Sequence, residues 1–205
     1  VYVSNNSTHI LIITDYGAAI TTDYGNTFKT LTVENGLLPS NICLSGYISN
    51  EHVFIGTELG LVYSNNNGTT TRVCHNAKII SIQKGSQSQY YYFASNAAIY
   101  RSTNLQPTSL VGPFYFGFKK GDSIKSMSVD EIGIVFVGTD HGLYYSNDNA
   151  NTFKQKEIVL DGNSIDVAIE DIESSRELQI NINDIINGYV LIDTDSWRYK
   201  HLNFD

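Results

Sequence analysis

Three stretches of the chain share one length and one pattern: residues 9–17 (HILIITDYG), 52–60 (HVFIGTELG) and 134–142 (IVFVGTDHG). Each reads as a run rich in β-branched residues, a short acidic turn and a glycine able to take positive φ, as a tight hairpin requires. Each continues into a second strand-like stretch, at 18–22 (AAITT), 61–64 (LVYS) and 143–146 (LYYS). Weaker copies lie at 91–100 and 178–192. A small sheet built from one copy cannot cover both of its faces, so the copies must stack on one another.

The second strand of each copy ends in a further recurring turn. Residues 21–28 (TTDYGNTF) and 146–153 (SNDNANTF) are near-complete forms, and 64–71 (SNNNGTTT) keeps the spacing with Asn66 in place of Asp. Remnants stand at 102–104 and, contracted, at 193–197. The four alignable turns start 43, 38 and 44 residues apart, and five units in 205 residues average 41. That period is the roughly 40–45 of a propeller blade. Each unit also has room for four strands; in the second these fall at 42–49, 52–56, 61–65 and 71–74. The other units begin with strands at 1–5, 78–83, 123–129 and 164–170. The expected fold is therefore all-β: a five-bladed β-propeller of four-stranded antiparallel blades. It forms one domain over 1–205, with blades at about 1–35, 36–76, 77–120, 121–162 and 163–205.

Composition agrees and removes several partners. Fourteen Tyr with only three Pro and one Met suit short strands and tight turns, and no heptad-like stripe points to a long helix. Thirteen basic against 21 acidic residues give a net charge of −8, which disfavours nucleic acid and anionic membrane surfaces. No apolar run approaches the roughly 18 residues of a membrane-spanning helix. The start, Val1-Tyr2-Val3-Ser4, shows neither a basic nor an apolar leader region, so no signal peptide is visible. Cys43 and Cys74 fall on the first and last strands of one unit, about 14 Å apart at three strand spacings, too far for a disulfide. Two free thiols are expected.

The turn motif resembles the Asp-box, or BNR repeat, of sialidase-like and sortilin-like β-propellers. The resemblance implies a propeller of the kind used for protein or glycan recognition, in an extracytoplasmic or secreted setting. A second resemblance links 35–41 (NGLLPSN) and 53–61 (VFIGTELGL) to the blades of two-component regulator propellers, which implies the extracytoplasmic sensor of a larger signalling protein. The physical role expected of the boxes is structural. Asp23 and Asp148 can accept hydrogen bonds from their own turns. Asn66 stands in the same place, Gly25 and Gly68 supply the bend, Thr27 and Thr152 the hydroxyls, and Phe28 and Phe153 pack between sheets. Calcium at the Asp148–Asn151 oxygens would lack a second carboxylate. No metal or cofactor is expected.

A sialidase-like enzyme would need an arginine triad, a Tyr nucleophile with a nearby Glu, and an Asp acid/base. The chain has four arginines, Arg72, Arg101, Arg176 and Arg198, in or beside the third strands, fourth strands and intervening turns of four different units. The sialidase folds of the resemblance have six blades against five counted here, so no catalytic residue is assigned. The five histidines show no paired-ligand spacing.

Ligands of propellers usually meet the face formed by the turns between second and third strands (B–C) and the connections between blades (D–A). The B–C turns offer Asp15, Tyr16, Glu58, Asp140 and His141, with 96–97 and 185–187 in the weaker copies. The three acids either form a partial acidic ring or are simply favoured turn residues. The D–A connection 111–121 (VGPFYFGFKKG) carries Phe114, Tyr115, Phe116 and Phe118. These rings either continue a strand with alternate rings buried or form an aromatic contact patch. The function expected is a binding or scaffold module for a protein or carbohydrate partner, with a sialidase-like enzyme and a sensor domain as alternatives.

Overall fold

The computed structural model describes residues 1–4, 8–103, 110–160, 163–165, 168–174, 177–182, 189–193 and 199–202; beyond Ile158 it describes the side chains of Ala168, Ile169 and Ile172 alone. Every regular element among the described residues is a strand. Strands β1 (Tyr2–Val3), β2 (Ile10–Thr14), β3 (Gly17–Thr21) and β4 (Lys29–Leu31) form one antiparallel sheet in chain order. The same order recurs in β5 (Cys43–Ser49), β6 (His52–Thr57), β7 (Gly60–Ser64) and β8 (Arg72–His75). It recurs again in β9 (Ser81–Gln83), β10 (Tyr91–Ala94), β11 (Ile99–Ser102) and β12 (Val111–Phe114). A further sheet holds β13 (Ile124–Val129), β14 (Val135–Thr139), β15 (Gly142–Ser146) and β16 (Lys154–Lys156). After the hairpin of β17 (Ile158–Leu160) and β18 (Asn163–Ile165) come β19 (Ile169–Ser174), β20 (Glu177–Ile182), β21 (Tyr189–Asp193) and β22 (Tyr199–Leu202).

Three first strands differ from expectation. The run 164–170 alternates like one strand, but Asn163–Ile165 pairs with Ile158–Leu160, a partner only a turn away, and β19 starts at Ile169. Strand β9 is shorter than 78–83: Ile79 donates its N–H to the Thr57 carbonyl of another sheet (3.1 Å), and only Ile80 reaches back to β10, at the Ala94 carbonyl (2.8 Å). Strand β1 covers only Tyr2–Val3 of the expected 1–5, with residues 5–7 outside the described set.

The chain divides into two compact units. The first comprises Val1–Ile82, Tyr91–Ser95 and Tyr100–Val111; the second, Gln83–Tyr90, Asn96–Ile99 and Gly112–Asp205. In the first unit the two-residue alternation of a strand explains the unbroken apolar runs. Val53, Ile55 and Val62 enter one core cluster with Leu11, Ile20 and Leu31, while Phe54, Leu61 and Tyr63 enter another with Ile79, Tyr91 and Phe93. The sheet β5–β8 is thus covered on both faces. Phe54 is wholly buried, which stabilises the fold by about 2–3 kcal/mol relative to an exposed ring.

Close approach of strands falls at the glycine of the repeated Gly-Thr pair. A Cβ on Gly56 would lie 2.2 Å from Ser45 Oγ and 2.5 Å from the Ile79 carbonyl. Within the second unit a Cβ on Gly138 would lie 2.5 Å from both Ser126 Oγ and the Ile169 carbonyl. The same serines reach those carbonyls, Ser45 at 3.3 Å and Ser126 at 3.4 Å. Cys43 and Cys74 are both free, on strands at opposite edges of one sheet, and burial pushes the Cys43 thiol up to about 11.

Candidate functional site

The turns between third and fourth strands are built from one hydrogen-bond pattern. Asp23 Oδ1 accepts from Thr21 Oγ1 (2.7 Å) and from the Thr27 N–H (2.9 Å), and Oδ2 accepts from Thr27 Oγ1 (2.6 Å). Asp148 repeats this with Ser146 (2.7 Å), the Thr152 N–H (3.0 Å) and Thr152 Oγ1 (2.6 Å). In the Asn66 turn the amide oxygen accepts from Ser64 Oγ and the Thr70 N–H, while its NH2 donates to Thr70 Oγ1 at 2.9 Å. The pattern survives the exchange because the threonine hydroxyl can either donate or accept. Tyr24, Asn67 and Asn149 have φ near +55 to +60° and are followed by Gly25, Gly68 and Ala150, also at positive φ. The Thr27 hydroxyl, its backbone N–H and the Thr21 hydroxyl hold the Asp23 carboxyl down at about 2. At Asp148 burial pushes upward, but hydrogen bonds from Thr152, Ser146 and Asn151 outweigh it and the carboxyl sits below its ordinary value. Every carboxylate oxygen of these boxes is thus occupied by its own turn. Phe153 is buried, whereas Phe28 is 49% exposed. The contracted turn 193–197 lies largely outside the described residues.

The B–C turns follow a second repeated scheme, carried by a threonine beside each acid. Thr14, Thr57 and Thr139 each donate a hydroxyl hydrogen bond to the carbonyl of Gly17 (2.9 Å), Gly60 (2.9 Å) and Gly142 (3.1 Å). Each threonine oxygen also accepts the N–H of the residue two further on, Tyr16, Leu59 and His141. The threonines, invariant among the three strong copies, close the turns; the acids beside them do not. Asp15, Tyr16 and Glu58 are exposed in the first unit, as is Leu59. Asp140 forms a surface ion pair with Lys125 at 3.0 Å, worth little in water. The expected turn 185–187 lies outside the described residues.

In the second unit the B–C turn gains partners that the repeat does not supply. His141 Nδ1 lies 2.8 Å from Asp122 Oδ1, whose side chain is almost wholly buried, and the Asp122 Oδ2 accepts the Lys119 N–H at 2.9 Å. A carboxylate can only accept, so Nδ1 donates and Nε2 is left facing away. Gln155 Nε2 donates to the His141 carbonyl at 2.8 Å. Asp122 sits in a non-repeating connection, where no periodic signal could have marked it. Among the described residues there is no cluster of three His, Cys, Asp or Glu side chains able to hold a metal ion.

The connection leading to Asp122 carries the aromatics. Strand β12 ends at half-buried Phe114. Tyr115 and Phe116 then stand 61% and 72% exposed, and Phe118 turns inward, stacked on Phe153 at 4.5 Å and edge-on to Tyr144 at 5.0 Å. The Phe153 N–H donates to the Phe116 carbonyl (2.8 Å), and the Phe118 N–H to the Tyr115 carbonyl (3.2 Å). Gly117 is at φ +108°, and a Cβ there would lie 1.9 Å from the Phe153 carbonyl. Only glycine fits, and it presents the two preceding rings outward. Elsewhere, a shallow depression of about 160 Å³ in the first unit is lined by Tyr63, Asn65, Thr70 and Arg72, with the Arg72 guanidinium 5.1 Å above the Tyr63 ring. Arg72 and Arg101 lie on different sheets, and Arg176 and Arg198 lie outside the described residues.

Comparison with solved structures places the fold among propellers. The extracellular domain of a hybrid two component system from B. thetaiotaomicron superposes with a TM-score of 0.69 at 15% identity, over 88% of this chain and 26% of that one. The fold is β-propeller-like. An ancestral GH74 enzyme gives a TM-score of 0.72 at 14% identity over 95% of this chain and 29% of its own. YCF48 bound to D1 peptide gives 0.66 at 11% identity over 98% and 65%. The chain spans about a quarter of the first two and two thirds of the third. No family model and no curated protein matches it.

Proposed function

We propose that the chain is a non-enzymatic binding or scaffold module, a single propeller of five four-stranded blades that recognises a protein through its B–C turns and D–A connections. Within it the Ser/Thr-x-Asp/Asn turns are Asp-boxes with a structural role. The carrying observation is that Tyr115 and Phe116 stand exposed on a turn clamped to Phe153. Rings held outward by a fixed backbone surrender little freedom on binding, and such anchors concentrate interface energy. YCF48, similar in fold, is bound to a peptide. A sensor role in a larger signalling protein is a second reading, supported by the likeness to an extracellular domain of a two component system.

The test is selection of a displayed random peptide library on the chain, repeated on a variant carrying Tyr115→Ser and Phe116→Ser. Enriched peptides that bind the parent and lose at least about tenfold in affinity on the variant support the reading. Enrichment untouched by the variant would place recognition on another surface and overturn it. Turnover of a fluorogenic glycoside panel would promote a glycan-active enzyme instead.

A further inference from the structure

The chain is acidic, with a net charge of −8, but the surroundings of the exposed aromatic turn have the opposite character. Lys119 and Lys120 follow Phe118 directly, and both are exposed. Lys154 is exposed too, and it follows Phe153, the residue whose N–H is bound by the Phe116 carbonyl. Two acids of the same unit, Asp122 and Asp140, are already committed. Asp122 accepts from His141 and from the Lys119 N–H, and Asp140 is paired with Lys125. Lys120 and Lys154 have no carboxylate within ion-pair distance among the described residues. Two protruding rings and a local excess of cations therefore share one support whose backbone is held from both sides.

We infer that this surface takes an acidic, extended segment of a partner protein, with an apolar side chain packed on Tyr115 and Phe116 and carboxylates facing Lys120 and Lys154. The inference rests on the reading of the Tyr115–Phe116 turn as a recognition surface and adds the chemistry of the partner. Charge complementarity selects the class: a basic segment would meet the lysines, while a neutral one would leave them unanswered. Steering of an anionic segment toward a local cationic patch also raises the association rate, and added salt weakens it.

The experiment uses fluorescein-labelled synthetic peptides with one set of Leu and Phe positions, in which the intervening residues are Glu, Ser or Lys. Fluorescence anisotropy with the whole chain should show the Glu peptide binding at least about tenfold more tightly than the other two, with affinity falling as salt is raised. Phe116→Ala and the pair Lys120→Glu with Lys154→Glu should each lower that affinity by about tenfold. The Phe116 variant keeps the backbone bonds of its turn, and circular dichroism checks that each variant folds. Equal binding of all three peptides, lost in Phe116→Ala, would overturn the acidic class and leave the recognition surface standing. Binding of none, or binding indifferent to Phe116→Ala, would overturn both. Binding to phosphatidylglycerol vesicles in place of peptides would be indifferent to net charge reversal at Lys120 and Lys154 only if the lysines played no part; such vesicle binding without peptide binding would replace the protein partner by a membrane surface and overturn the inference.

Discussion

The B–C turns of Thr57–Gly60 and Thr139–Gly142 have the same backbone scheme and different surroundings. In the first, Glu58 and Leu59 project from a turn closed by Thr57 and tied to the rest of its sheet by the Glu58 N–H to the Ile42 carbonyl. In the second, Thr139 does the same work, and Asp140 N–H reaches the Ser123 carbonyl. To this are added Asp122 on the imidazole of His141 and Gln155 on its carbonyl. The repeat determines how the chain turns. The connection after β12 determines what the turn can hold.

Removing the glycine that shapes that connection should separate the two turns most sharply. Gly117→Ala drives a Cβ into the Phe153 carbonyl at a left-handed backbone position, and a loss of about 3 kcal/mol or more is expected in urea denaturation. Gly121→Ala, where no atom lies within 4 Å of the added Cβ, shares the positive φ (+95°) and should cost only about 1 kcal/mol. If the two cost the same, crowding against Phe153 is not what holds the aromatic turn.

Next in size are the threonines. Thr57→Val and Thr139→Val each remove a buried hydroxyl that serves two hydrogen bonds, and both should destabilise by about 1–3 kcal/mol. Similar values confirm that the closure belongs to the repeat; a much smaller loss at Thr139 would show that Asp122 and Gln155 alone can hold the turn. Asp122→Asn should then act on the second turn only. Its single amide oxygen can replace only one of the two carboxylate oxygens that accept from His141 and from the Lys119 N–H, so a loss of about 1–2 kcal/mol is expected, and NMR relaxation should show faster motion of the His141 ring.

The smallest effect concerns acid. Asp23, at about 2, and Asp148 both sit below their ordinary value when folded. A carboxyl depressed in the folded state contributes stability above its unfolded value, near pH 4, and that contribution is lost as pH falls through the folded value. Denaturation midpoints should therefore drop between about pH 4 and 2, and Asp148→Asn should flatten part of that slope while keeping its turn. The natural Asn66 turn shows how: its NH2 donates to Thr70 where a carboxylate would accept. An unchanged acid profile in the variant would mean that the Asp148 turn does not contribute.

Period and alternation carried most of what was legible. Strands β5 to β8 fall within a residue of the expected positions, since Val53, Phe54 and Ile55 alternate between two covered faces and leave little choice of register. The hairpin β17–β18 was hidden because Ile165 suits a long strand and a short pair equally well, and only proximity to Ile158 decides. At the site, His141 and the aromatics were visible as residue types out of keeping with their surroundings. Asp122 was not, because a carboxylate in a connection looks solvated until the fold buries it. Thr14, Thr57 and Thr139 were in plain sight in the aligned copies, but the acids next to them drew the functional reading.

Four of the fourth strands, β4, β8, β12 and β16, each form one edge of their sheet, and each carries a cation or a proline: Lys29, Arg72, Pro113, Lys154 and Lys156. An edge of free backbone groups is a template for another chain, and a charge or a missing N–H spoils it. Two copies meeting edge to edge would have to crowd like charges together or leave a donor missing. A fold made of repeated small sheets multiplies exposed edges, and this chain places an obstacle to self-association on each of these four.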